Sequence, residues 1–512
     1  MNDIAKKPPP PLHGAPLALL TIAVAFATFM EVLDITIVNV SVPHIAGSLG
    51  VSPQEGTWAI SSYSLASAIM QPLSGWIGRR FGEVRSFCVS TVLFIAMSTL
   101  CGVADSMPML VVARLLQGAG SGPMVALSLS LLLNNYPIDK KGLALALWAM
   151  TVVVAPIFGP ILGGYLTDNY SWPWIFYINV PVGLLAVLIT WTLLANRESA
   201  TVKAPIDMVG LVLLIVGVGC LQFMLDNGND KDWFSSPMIT TLGIIALVCI
   251  TFFVAWELTE RHPIVDLSLF RSRNFTIGVT AMALGMTAFF GINVIYPLWL
   301  QTVVGYTASW AGYATAPVGI LAFLMSPLIG RNIQKLELRS VVTFSFVVFA
   351  ATSYWFSTFP ADTSFWQFVL PRFLMGIAIP CFFIPLNQVI LSGLKPHEIA
   401  SASGLSNFFR TIAASISTAV TVTMWQHRGD FHHATLAEHI TNTNPATQQF
   451  VGGLGRISDA PWNVIDNIVN REALTLAVND VFLLYAALFV VMIPVVWLAR
   501  PPFGNVGPAA AH

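Results

Sequence analysis

Two stretches decide how this chain is built: Arg114-Leu115-Leu116-Gln117-Gly118, leading to Pro123, and Arg372-Phe373-Leu374-Met375-Gly376, leading to Pro380. Each sets one arginine into an apolar run long enough to cross a bilayer, and they lie 258 residues apart. A second pair agrees. Pro72-Leu73-Ser74-Gly75, followed by Arg79, Arg80 and Arg85, answers Pro327-Leu328-Ile329-Gly330, followed by Lys335 and Arg339, at an offset of 255. The sequence therefore describes a duplicated membrane bundle, the plan of many secondary transporters, whose substrate site lies at the repeat interface.

Composition supports the same class. Of 512 residues, 55% are apolar and 10% charged, against about 25% charged in a soluble domain. The 24 basic and 25 acidic residues nearly cancel, so no bulk attraction to nucleic acid is implied. All five cysteines fall in apolar runs, where they read as small buried hydrophobes. With about 20 apolar residues per span, fourteen spans are expected, beginning near Leu17, Trp58, Phe87, Met109, Leu143, Ile175, Met208, Met238, Phe275, Ala311, Val341, Phe365, Ser403 and Leu476. Spans two and four map onto ten and twelve. The expected architecture is an all-α polytopic protein: a six-helix bundle over 1–200, two inserted helices over 201–262, and a second bundle over 263–512.

An even number of spans puts both termini on one side. The N-terminus and the even-numbered loops hold nearly all the loop Lys and Arg, whereas the opposite loops hold Lys231, Arg428, Arg456 and Arg471. Both ends are thus expected in the cytoplasm. Lys6 and Lys7 precede the first apolar stretch as in a signal peptide, but that stretch runs on through Glu31 and Asp34 to Pro43 with no small-residue cleavage pattern, so it is expected to be retained as a span. The segment about 426–475 is the one sizeable soluble stretch, expected as a loop facing outward. Its His427, His432, His433 and His439 lack Cys or carboxylate ligands at a zinc-like spacing, so no metal site is expected.

Ionisable groups inside spans are functional candidates by default. Here they are Glu31 and Asp34 in the first span, Arg114 in the fourth, Arg372 in the twelfth and Arg410 in the thirteenth. Counted from Pro43 and Pro108, Asp34 and Arg114 lie about 14 and 9 Å deep, a gap that an arginine can close. Glu31, three residues from Asp34, shares its helix face. Either carboxylate can be a proton carrier, and a permanent structural ion pair remains the alternative. Arg372 and Arg410 can attract an anionic group, or in the case of Arg410 bind backbone carbonyls. Aromatic residues of the later spans, Tyr296, Phe408 and Phe409 among them, together with Asn293, are candidates for a substrate cavity.

The motifs resemble those of the fourteen-span drug/proton antiporters of the major facilitator superfamily, over nearly the whole chain. Ala155-Pro156-Ile157-Phe158-Gly159-Pro160-Ile161-Leu162-Gly163-Gly164 is similar to the family's antiporter motif, with Ala155 in place of a leading Gly. The resemblance implies that Pro156, Gly159, Pro160, Gly163 and Gly164 seal the halves and favour exchange over leak. Leu33-Asp34-Ile35-Thr36 through Pro43 and Arg114-x-x-Gln117-Gly118-x-Gly120 resemble the first- and fourth-span signatures linked to proton transfer. Gly75 to Arg85, with Arg79, Arg80 and Gly82, resembles the cytoplasmic gating loop, but Arg79 stands where most members carry Asp. Glu83 is the nearby acid able to replace it.

Asn134-Asn135-Tyr136-Pro137, Trp172-Pro173-Trp174-Ile175-Phe176 and Asp266 to Phe275 resemble members that serve Gram-negative tripartite multidrug exporters. That resemblance implies a bacterial inner-membrane protein, driven by the proton gradient with no cofactor. It also implies a periplasmic membrane-fusion adaptor and an outer-membrane channel as partners, with the 426–475 segment as a contact. The expected function is export of lipophilic or amphipathic toxic compounds in exchange for protons. A dedicated exporter of one metabolite and a passive facilitator are the alternatives. No phosphate-binding Gly-x-x-x-x-Gly-Lys-Ser/Thr loop occurs, which argues against an ATP-driven pump or an enzyme.

Overall fold

The computed structural model describes residues 10–202, 205–438, 440–441, 444–445, 447–449 and 460–503. Among them no strand occurs, as the bilayer demands when long apolar runs must satisfy their own backbone. The first half contains α1 (Gly14–Leu49), α2 (Trp58–Met70), α3 (Ser74–Phe81), α4 (Glu83–Gly102), α5 (Met107–Asn135), α6 (Lys141–Asn169) and α7 (Asn179–Leu194). Two peripheral helices follow, α8 (Met208–Asn227) and α9 (Pro237–Thr259). The second half contains α10 (Arg273–Thr302), α11 (Ala308–Thr315), α12 (Pro317–Asn332), α13 (Leu338–Phe356), α14 (Phe365–Leu391), α15 (Ile399–Ala437) and α16 (Ala460–Trp497).

All fourteen expected spans are helical. Eleven segments among the described residues are long and apolar enough to cross a membrane. The remaining expected spans are α2 with α3, α6 and α15. Span two is broken at residues 71–73, where Pro72 has no N–H to continue the ladder. Two helices sit at the centre: 83% of the apolar stretch is buried in both α5 and α14, against 17% in α9. These two helices carry the repeated arginines. Val89, Leu188, Leu247 and Val491 are exposed, part of an apolar outer surface suited to lipid rather than water.

The chain ends and the even-numbered connections meet on one face, here the terminal face. Leu12 N–H donates to the Asn135 carbonyl at 2.9 Å, Arg197 Nη1 to the Pro10 carbonyl at 2.7 Å, and Arg273 Nε to the Leu498 carbonyl at 2.7 Å. Asp207 caps α8 there, accepting from Val209 N–H at 3.1 Å and Gly210 N–H at 3.0 Å.

Two expectations about span ends are corrected. Pro43 lies inside α1, which continues to Leu49. The described residues of the loop expected over about 426–475 are largely helical, because α15 runs on to Ala437 and α16 starts at Ala460. Polar side chains there pair between helices: Asp480 Oδ2 accepts from Arg428 Nε at 2.6 Å and bonds His432 Nε2 at 2.8 Å. Hydropathy marks such residues as the end of a span, whereas the helix itself continues. His433 turns to Asp466 instead, at 3.3 Å, and His439 lies outside the described residues.

Candidate functional site

Asp34 on α1 and Arg114 on α5 are both fully buried and form an ion pair. Gln117, one turn along α5, brackets the pair: its Oε1 accepts from Arg114 Nη1 at 2.8 Å and its Nε2 donates to Asp34 Oδ1 at 3.1 Å. Asn179, the first residue of α7, donates to the same Oδ1 at 2.9 Å and to Ser98 Oγ at 3.0 Å. Arg114 Nε donates to the Ala59 carbonyl at 2.7 Å, and the guanidinium lies 4.1 Å from the centre of the Tyr63 ring. Close packing makes this possible, since a Cβ on Gly118 would collide with the Tyr63 carbonyl. Five spans therefore build the cradle, three of them, α1, α5 and α7, meeting at the carboxylate itself. Gln117 lies within a motif legible in the sequence; Asn179 is a lone polar residue at the head of an apolar run, a signal too weak to single it out.

Glu31 is 2% exposed, and its Oε2 has no hydrogen-bond partner among the described residues. Its electrostatic neighbour is Arg410 of α15. Among the described residues Arg410 has no acidic partner in its own half, and the acid it faces electrostatically belongs to the other. The candidate cavity residues divide into two groups. Arg372 donates to Asn293 Oδ1 and lies 5.2 Å from the centre of the Tyr296 ring, so these three come together. Phe408 and Phe409 do not join them, because Phe409 packs on Phe270, 5.7 Å between ring centres.

The halves meet at the terminal face along two seams. At the first, a Cβ on Gly75 of α3 would stand 2.7 Å from Ser401 Cα of α15. Gly404 presses as closely on the Gln71 carbonyl, and Thr411 Oγ1 donates to Gln71 Oε1 at 3.0 Å. At the second, a Cβ on Gly142 of α6 would stand 2.8 Å from the Gly330 carbonyl of α12. Gly75 and Gly330 are the equivalent positions of the sequence repeat. Nearby Gly82 has φ 94 and abuts the Glu198 carboxyl, whose oxygens accept from the Val84 and Arg85 N–H groups at 3.0 and 2.9 Å. Arg85 also approaches Glu198 at 4.0 Å.

The gating loop departs from the expectation for Glu83. Its carboxylate is buried within its own half, accepting from Ser130 Oγ at 2.8 Å and Asn134 Nδ2 at 3.1 Å, so it does not take up the missing acid's place at the seam. Arg79 turns to Asp266 in the connection to the second half, at 4.0 Å; Arg80 is partly exposed. Two glycines of the antiporter motif, Gly159 and Gly163, face inward, whereas Phe158 and Ile161 are exposed. A Cβ on Gly159 would meet Thr36, and one on Gly163 the Ile37 carbonyl at 2.7 Å. Both glycines thus seat α6 on α1 beside Asp34, not on the other half, and Gly164 has open space around it. The side chains of Pro156 and Pro160 lie outside the described residues.

The model of the Major Facilitator Superfamily matches residues 24–418, and the chain belongs to this family of membrane transporters. Its similarity to EmrB-type members runs the full length. It is 50% identical to the multidrug export protein EmrB of Haemophilus influenzae, over 99% of this chain and 100% of that protein. It is also 50% identical to EmrB of Escherichia coli K12, over 97% and 98%, and 48% identical to the fatty acid resistance protein FarB of Neisseria gonorrhoeae, over 97% and 99%. Among solved structures, the human organic anion transporter MFSD10 matches with a TM-score of 0.58 at 11% identity, covering 94% of this chain and 100% of that one. The proton:xylose symporter XylE matches with 0.59 at 15%, covering 95% and 96%. These two likenesses concern the fold alone.

Proposed function

We propose that this protein is a multidrug exporter that exchanges inward-moving protons for lipophilic or amphipathic compounds, without a cofactor. The observation that carries this reading is the fully buried Asp34–Arg114 pair with its ring of Gln117, Asn179 and Ala59. Removing the charge of one partner from a buried pair normally leaves the other uncompensated. Here Arg114 keeps the Gln117 oxygen and the Ala59 carbonyl when Asp34 takes up a proton, so both protonation states are accommodated in one cradle. Glu31 is the second candidate carrier. Its counter-charge, Arg410, belongs to the opposite half, so rocking of the halves changes the distance between them.

With the termini in the cytoplasm, as the distribution of Lys and Arg supports, the glycine seams close the cytoplasmic face and this is the outward-facing state. The substrate cavity then lies between the halves, with Arg410 and Asn293 on the second-half wall and Arg372 and Tyr296 buried behind Asn293. Gly75 to Arg85 serves as the cytoplasmic gate through Gly75, Gly82 and the Arg79 contact. Gly159 and Gly163 act on exchange through the position of α1. Full-length similarity to EmrB proteins supports a place in the bacterial inner membrane beside a periplasmic adaptor and an outer-membrane channel. The helical extensions of α15 and α16 are the contact surface in this reading. The relative named for fatty acid resistance adds fatty acids to the compounds to be tried. Substrate-induced proton release from everted vesicles, compared between the native protein and Asp34→Asn, tests the proposal.

A further inference from the structure

The pairing of the two arginines extends to their surroundings, at offsets of 255 to 259 residues. Asp34, which meets Arg114, has as its counterpart Asn293, which meets Arg372. Arg114 Nη1 donates to Gln117 Oε1 at 2.8 Å, three residues on; Arg372 Nη1 donates to Met375 Sδ at 3.5 Å, also three residues on. A Cβ on Gly118 would strike the Tyr63 carbonyl and stand 3.1 Å from Ala66 Cβ, while one on Gly376 would strike the Val318 carbonyl and stand 3.1 Å from Leu321 Cβ. One cradle has been built twice.

The chemistry differs between the copies. Asp34, Gln117 and Tyr63 of the first are Asn293, Met375 and Val318 of the second, so no group in the second can exchange a proton near neutral pH. The guanidinium is nevertheless retained and fully buried. Its Nε, whose counterpart donates to the Ala59 carbonyl, has no partner among the described residues, and no carboxylate pairs with it there. Buried charges are normally paired. The residue covering its polar end, Asn293, is partly exposed. Around it lie rings suited to an apolar chain: Phe289, whose carbonyl anchors Asn293 Nδ2 at 2.6 Å, packs with Phe349 and Phe383 at 6.0 and 6.5 Å between ring centres.

We propose that this second cradle is a monoanion site, in which Arg372 takes the carboxylate of an amphiphile or a small inorganic anion once Asn293 gives way. As a substrate subsite it rests on the export reading; as an anion site it does not. The test is equilibrium binding to the purified full-length protein in nonionic detergent, without a proton gradient, so a failure of proton exchange leaves the result intact. The probes are radiolabelled decanoate, its uncharged analogue decanamide, and sodium chloride against sodium gluconate as competitor. Asn293→Asp supplies Arg372 with an internal carboxylate at nearly constant shape and should weaken decanoate binding about ten- to a hundredfold, with decanamide unaffected. Asn293→Ala, which uncovers the guanidinium, should retain decanoate binding and shows whether the position tolerates change. If chloride competes and decanoate shows no preference over decanamide, the site takes a small ion. Equal decanoate binding by native protein and Asn293→Asp without a chloride effect, or parallel loss of decanamide binding, overturns the proposal.

Discussion

Gly75→Ala isolates the seam from the rest of the fold. The added methyl would stand 2.6 Å from Ser401 Cβ and 2.7 Å from Ser401 Cα, where ordinary contact begins at 3.4 Å. Because one colliding atom is backbone, a rotamer change cannot relieve the clash, and α3 and α15 must part by about 0.7 Å or more. Overpacking of this size costs about 1–3 kcal/mol. The cost falls on the state in which this face is closed, so that state should lose about 5- to 150-fold in population relative to the open one. Disulfide crosslinking reads this out. In a background with the five native cysteines replaced, Gln71→Cys and Thr411→Cys face each other where the native side chains hydrogen-bond at 3.0 Å. Crosslinking should be rapid in the native seam and several-fold slower with Gly75→Ala. A control is Gly118→Ala, whose methyl strikes the Tyr63 carbonyl within one half; it should lower the yield of folded protein instead. An unchanged crosslinking rate with Gly75→Ala would refute the idea that this contact sets the closed state.

Other changes act on the buried site and on the caps. Arg114→Lys cannot reach Asp34, Gln117 and the Ala59 carbonyl at once and should displace the pH profile of exchange in a protein that still inserts; an unaltered profile counts against the pair's role in coupling. Asn179→Leu removes a donor to Asp34 and should destabilise the fold by about 1–3 kcal/mol, seen as a lower midpoint in thermal unfolding; an equal midpoint speaks against Asn179 as a support of the site. At the N-terminus of α13, burial pushes the Glu337 carboxyl up, but its bonds from Arg339 and Ser340 prevail and hold it below the ordinary 4.5. Its contribution is therefore present above pH 4.5 and lost as pH falls through the lowered value. The stability gap between native protein and Glu337→Gln should narrow as pH falls below 4.5; a gap independent of pH would exclude this cap as its source.

Span positions were legible because bilayer thickness imposes a length on apolar runs, and nearly every expected start lies within a turn or so of the observed helix start. The Asp34–Arg114 contact was legible because opposite charges within apolar spans seek each other, although the depth count for Asp34 began at Pro43, which lies inside α1. The ends of α15 and α16 were not, because Arg428, His432 and Asp480 satisfy one another between helices and hydropathy treats them as solvated. Nor was the facing of the antiporter motif, since Gly159 and Gly163 mark close approach without saying which helix approaches. The relation of Arg410 to Glu31 depends on how the halves dock, which no local pattern encodes. The Asn293 counterpart was not legible either, because the repeat offsets of 258 and 255 carry Asp34 to Ile292 and Phe289, and only the contact with Arg372 singles out Asn293.

The central claim is that Asp34 couples substrate movement to protons. The direct measurement is fluorescence of a pH-sensitive dye in everted membrane vesicles energised to a steady proton gradient, on adding lipophilic cations or fatty acids. The native protein should release protons when a transported compound is added, and Asp34→Asn, inserted at equal abundance, should release none and fail to drive uphill export. Full proton-driven export by Asp34→Asn would contradict the account.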